Sequence, residues 1–92
     1  MKIQISDTKQ VGQLAKLVRK HQGLDQISAG LLSGNGATFT GEFENGKPTV
    51  EIGRVMNVLD ALGITMTLDI PLQDNELTER QKKQLNHIFE DK

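Results

Sequence analysis

Apolar positions recur at helical spacing in five stretches of the chain and at strand spacing in one. Val11, Leu14, Ala15 and Val18 share one face of a first helix running to about His21. Ser6 and Asp7 are both good N-caps, and Asp7 with Gln10 has capping-box spacing. Gln22-Gly23 closes that helix, and Asp25 opens a second that should bury Ile27 and Leu31, with Ala29 and Leu32 flanking. Gly34-Asn35-Gly36 interrupts it, because both residue types tolerate left-handed backbone angles. A third short helix turns Phe39, Thr40 and Phe43 to one side and ends at Asn45-Gly46 ahead of Pro48. Thr49 is the expected cap of a fourth, carrying Ile52, Val55, Met56, Leu59 and Leu62, with Gly63 as its stop.

The period then changes. Ile64-Thr65-Met66-Thr67-Leu68-Asp69-Ile70 alternates strictly and stops at Pro71, which predicts a strand with one apolar face. A lone strand leaves its backbone groups unpaired. A second copy across a two-fold axis is the economical partner, through Ile64, Met66, Leu68 and Ile70, and residues 1–6 are the competitor. The tail is polar, with Thr78 and Gln81 at capping-box spacing and Leu85, Ile88 and Phe89 on a narrow stripe. It reads as a helix over about 78–90 that docks on the body or waits for a partner. This divides the chain into a unit at 1–71 and a tail at 72–92.

Composition narrows the possibilities. Ninety-two residues with 36% hydrophobic content and only three aromatics allow one small aliphatic core, which dimerisation would help. Without Cys there is no disulfide, thiolate-bound zinc or thiol catalysis. No apolar run reaches membrane-spanning length and no basic-then-apolar leader opens the chain, so a soluble, cytoplasmic protein is expected. Net charge is −1, unlike a bulk non-specific nucleic-acid binder. Residues 1–54 nevertheless hold seven Lys/Arg against five Asp/Glu, whereas 55–92 hold four against seven. The first half is mildly basic and the second acidic.

Two short helices around a glycine turn are what a helix-turn-helix requires. From Gly23 to Lys47 the chain resembles, without a gap, the Cro/C1-type (XRE) repressors, through Gly23-Leu24, Gln26, Gly34 and Glu44-Asn45-Gly46-Lys47. Gly46-Lys47-Pro48-Thr49-Val50 and Leu59-Asp60-Ala61-Leu62-Gly63 look more narrowly like HipB-type antitoxins, small dimeric repressors that partner a kinase-like toxin. The resemblance implies an all-α, lambda-repressor-like domain of four core helices, to which the paired strand and the extra C-terminal helix are added. It implies double-stranded operator DNA, a second copy and a HipA-like kinase toxin as partners in a bacterial cytoplasm. A stand-alone regulator without a toxin, or an interaction scaffold that no longer binds DNA, are the alternatives.

With Phe39 and Phe43 turned inward, the outward set of the third helix is Gly36, Ala37, Thr38, Gly41 and Glu42. Thr38 can meet a base or phosphate, Ala37 a thymine methyl, and the backbone N–H of Gly36 a phosphate. The resemblance adds Gln26 and Asn45 as phosphate ligands, with charge from Lys47 and Arg19. The outward set contains no Arg, Lys, Asn or Gln, the usual bidentate base readers.

Other motifs lead nowhere. Gly41 to Lys47 matches the start of a phosphate loop, but Pro48 stands where Ser or Thr must reach Mg²⁺, and Glu42 and Glu44 would repel phosphate. Gly34-Asn35-Gly36 begins a dinucleotide fingerprint that fails at Phe39. His21 and His87 have no second ligand at metal-binding spacing, so no metal, cofactor or catalytic group is expected. Glu44 reads as a structural ion pair or hydrogen bond to the first or second helix, and Met56 with Met66 as core.

Overall fold

Helix α1 (Thr8–His21) begins where its cap says it should: the Asp7 carboxylate accepts the Gln10 backbone N–H at 2.8 Å. The Gln10 side chain reaches back one residue further than a standard capping box, accepting from the Ser6 N–H. The computed structural model describes residues 1–90. Its remaining α-helices are α2 (Gln26–Ser33), α3 (Ala37–Glu44), α4 (Ile52–Ala61) and α5 (Glu79–Ile88), with one 3₁₀ turn at Asp74–Glu76.

The core lies where α1, α3 and α4 converge. Ala15, Phe39, Phe43, Val55, Val58, Leu59 and Leu62 are buried there, with Val11, Val18, Leu24, Val50 and Ile64 packed around them. Close approach rather than bulk sets the α1–α3 crossing. A Cβ on Gly12 would collide with the Phe43 carbonyl oxygen, so the two backbones nearly touch. On the other side Gln22 donates to the Leu62 carbonyl at 2.8 Å, tying the end of α1 to the end of α4.

Several expectations fail here. In α2 the buried face is Ala29, Gly30 and Ser33, while Ile27 and Leu31 are 63% and 78% exposed and Leu32 also faces solvent. The small residues win because α2 must lie against both α3 and α4, and only a smooth face permits that. Thr49 does not cap α4. Val50 folds into the core, and the Glu51 carbonyl instead accepts from Arg54 and Val55, so the helix starts at Ile52 without a side-chain cap. Val55, Val58, Leu59 and Leu62 fill the space available to α4, which leaves Ile52 and Met56 outside. Met66 is likewise exposed, so the two methionines are not core in this chain.

Beyond Gly63 no strand forms among the described residues. Ile64 packs against its own core, whereas Met66, Leu68 and Ile70 face solvent. Residues 1–6 are also irregular and do not pair with 64–70. Helix α5 carries the full capping box: Thr78 accepts from the Gln81 N–H and Gln81 from the Thr78 N–H. None of its residues is buried, and Leu85, Ile88 and Phe89 are open to solvent.

Candidate nucleic-acid interface

Helices α2 and α3 form one rigid unit because their connection is satisfied bond by bond. The Asp25 carboxylate accepts the Ser28 N–H at 2.7 Å, capping α2. These hydrogen bonds from Ser28 hold the Asp25 carboxyl below the usual aspartate range. Gly34 adopts a left-handed φ of 75°, and the next amide, of Asn35, returns to the Gly30 carbonyl at 2.7 Å. A Cβ on Gly30 would sit 2.6 Å from the Asn35 carbonyl oxygen, so the tightness of the turn demands glycine there as well. The buried Asn35 amide donates to Ser33 and to the Arg54 carbonyl, fastening the turn to α4.

On the inner side of α3, Phe39 and Phe43 stack with ring centroids 6.4 Å apart. Thr40 is fully buried and satisfies its hydroxyl on the Gly36 carbonyl. The Arg54 guanidinium lies 5.0 Å over the Phe39 ring. Sequence reasoning missed that role, since spacing gives no sign that α4 would lean across the start of α3.

Glu44 is the hub of the site's polar support. It is only 4% exposed, and it accepts from Arg19 Nε at 2.5 Å, Arg19 Nη2 at 2.9 Å and Gln26 Nε2 at 3.2 Å. Arg19 also donates to the Leu24 carbonyl. The hydrogen bonds that Arg19 donates to Glu44 hold the guanidinium pKa above its ordinary value, against the opposing effect of burial. The expected structural ion pair of Glu44 is therefore present, and it joins helices 1, 2 and 3. It also corrects Arg19. At 5% exposure, with its fork occupied, Arg19 cannot lend charge to a ligand on the surface.

The remaining predicted residues are brought together. Gly36 and Thr38 are exposed, and Ala37, Gly41 and Glu42 half-buried, on the solvent side of α3. Gln26 reaches this surface from α2, its amide lying against Gly41. Asn45 caps the end of α3 and is exposed. Lys47 projects beside it but is paired to Glu42 at 2.9 Å, both ends being about half exposed. The result is a shallow surface of small residues, backed by a stacked aromatic pair and a buried ion pair.

A relative settles the family. Over 61 residues, 66% of this chain and 80% of the relative, the sequence is 39% identical to the uncharacterized HTH-type transcriptional regulator y4mF of Sinorhizobium fredii. The chain belongs to the XRE family of helix-turn-helix transcriptional regulators. No protein-family model matches it. Among solved structures, this XRE regulator resembles the HipA–HipB–O2–O3 complex, with a TM-score of 0.70 and 24% identity over 77% of this chain and 100% of the other. A HipB–O4 20mer complex gives 0.69 and 24% over the same shares. The restriction-modification controller protein C.AhdI from Aeromonas hydrophila gives 0.58 and 29%, over 64% of this chain and 86% of that one. The regulator thus has the all-helical, HipB-like fold, and its relatives are regulators, not enzymes. No helix among the described residues is long and apolar enough to cross a membrane.

Proposed function

We propose that this XRE regulator is a dimeric, sequence-specific repressor that acts as the DNA-binding antitoxin of a toxin–antitoxin operon. It autoregulates that operon together with a HipA-like kinase toxin. The observation that carries the DNA-binding part is the open, small-residue side of α3 on a motif held rigid from within. Thr38 and Ala37 meet base edges, the Gly36 N–H and Asn45 meet phosphates, and Lys47 adds charge once it leaves Glu42. Arg19 has no part in contact. The HipB complexes, with O4 and with HipA, O2 and O3, support both partners.

Dimerisation is supported by residues 64–70. Met66, Leu68 and Ile70 offer an unburied apolar row at strand spacing, and residues 1–6 do not take up its edge. A second copy pairs there, and the two α3 helices reach successive major grooves ~34–36 Å apart. Residues 1–71 make the DNA-binding and dimerisation unit. The tail from 72, with its uncovered stripe on α5, faces the toxin in the cytoplasm.

The test is binding to a fragment of the protein's own promoter, titrated against salt, with scrambled DNA alongside. A salt-dependent preference for the promoter is the expected result. Equal or absent binding would leave an interaction scaffold in its place.

A further inference from the structure

The cations around α3 are not equally free to meet an anion. Arg19 is buried with its fork on Glu44, and Lys47 holds Glu42 at 2.9 Å. Arg54 is held differently. Its guanidinium lies 5.0 Å over the Phe39 ring and donates no hydrogen bond among the described residues. The carboxylate beside it, Glu51, stands 4.0 Å from Nε, longer than a hydrogen bond, and is three-quarters exposed. An exposed pair at that distance contributes little. The ring attracts the cation without taking up its N–H groups.

Position makes that cation useful. The Arg54 side chain is about half exposed whereas Phe39 is buried, so the guanidinium forms the outer layer over the ring. Its backbone is fixed to the turn, because the Asn35 amide donates to the Arg54 carbonyl at 3.3 Å. Phe39 is the third residue of α3, which puts Arg54 beside the end of the helix that meets base edges. The other flank is occupied by Gln26, whose amide lies against Gly41. Residues two apart on a helix point about 200° apart. Phe39 with Arg54, and Gly41 with Gln26, therefore mark the two sides of α3.

A helix with its side chains is about 10–12 Å across, and the major groove is about 12 Å wide. Once α3 fills the groove, groups on its flanks face the sugar–phosphate walls rather than the base edges. We infer that Arg54 clamps a backbone phosphate on the wall away from Gln26. The contact is charge-assisted and fork-shaped; it sets the register of α3 and carries no sequence information. Phe39 is its positioning residue. This rests on the DNA-binding reading above. It also accounts for a helix without a single basic side chain: the charge stands beside α3, not on it.

The experiment uses the full chain and its promoter fragment, with scrambled DNA alongside. For each half-site, Arg54→Gln should weaken both DNAs by about eightfold at 0.1 M salt and lower the salt slope by about one. A scan that replaces single phosphates by neutral methylphosphonates then locates the contact. For the parent protein one phosphate in each half-site should cost several-fold when neutralised. In Arg54→Gln that penalty should vanish while the others persist. Each penalty is read against the same variant on unmodified DNA, so any loss of stability in the variant cancels. Arg54→Lys should keep the salt slope and recover only part of the affinity, since an ammonium has no fork. If Arg54→Gln leaves affinity and slope unchanged, or weakens binding while every methylphosphonate penalty persists, the clamp is overturned and the repressor reading stands. If the parent protein binds promoter and scrambled DNA equally, the repressor reading falls and the slope of Arg54→Gln still decides the clamp. Absence of binding to either DNA overturns both.

Discussion

Arg19 and Glu44 are separated by 25 positions in sequence and meet in a bidentate, almost dry ion pair. Removing one member strands the other as an uncompensated buried charge, so Arg19→Ala or Glu44→Ala should each lower stability by about 3–5 kcal/mol in urea unfolding. Replacing both by apolar residues of similar size should be milder than either single change. Asp25 makes a prediction about acid. Its folded pKa is depressed, so its contribution is complete above the ordinary aspartate value of about 3.9 and is lost as pH falls through the lower folded value. Asp25→Asn keeps an amide oxygen for the cap and should unfold with less acid dependence in that window, measured by urea melts at successive pH values. The Asp25 cap was legible in the sequence because capping is local. The partner of Glu44 was legible only as one of the two preceding helices. The burial of Arg19 was not legible, since a lysine- and arginine-rich final turn reads as solvated until α3 is folded against it.

Among the elements, helix existence was clear from apolar spacing, and α1, α3 and α5 begin and end within a residue or two of expectation. Which face goes inward was harder. In α2, periodicity favoured Ile27 and Leu31, but the packing selected Ala29, Gly30 and Ser33. A hydrophobic stripe records what can be buried, not how close two backbones must come. Gly12 and Gly30 show the same rule at its limit. In an exposed helix Gly→Ala gains about 1 kcal/mol, yet here the added methyl meets a carbonyl of another segment. Gly12→Ala and Gly30→Ala should therefore destabilise, and thermal melts should show the reversed sign. Gly53, with nothing near its Cβ position, should follow the ordinary rule.

For the whole molecule, the apolar row at 64–70 and the Glu42–Lys47 pair have consequences beyond their own neighbourhoods. Met66→Asp or Leu68→Asp should convert the proposed dimer to monomers in sedimentation while helical content is retained, because neither side chain supports the core of its own chain. An undisturbed dimer in those variants would remove the strand-pairing model. Lys47→Ala should weaken all DNA sites alike and lower the salt slope by about one. Glu42→Gln should do the reverse and strengthen all of them. The ion pair is thus an internal competitor for the charge that every phosphate attracts. A transcriptional regulator searching a chromosome is diverted by the vast excess of sites whose only attraction is charge. A lysine already holding a carboxylate makes each of those stops shorter, so the search moves on sooner without altering which sequence is preferred.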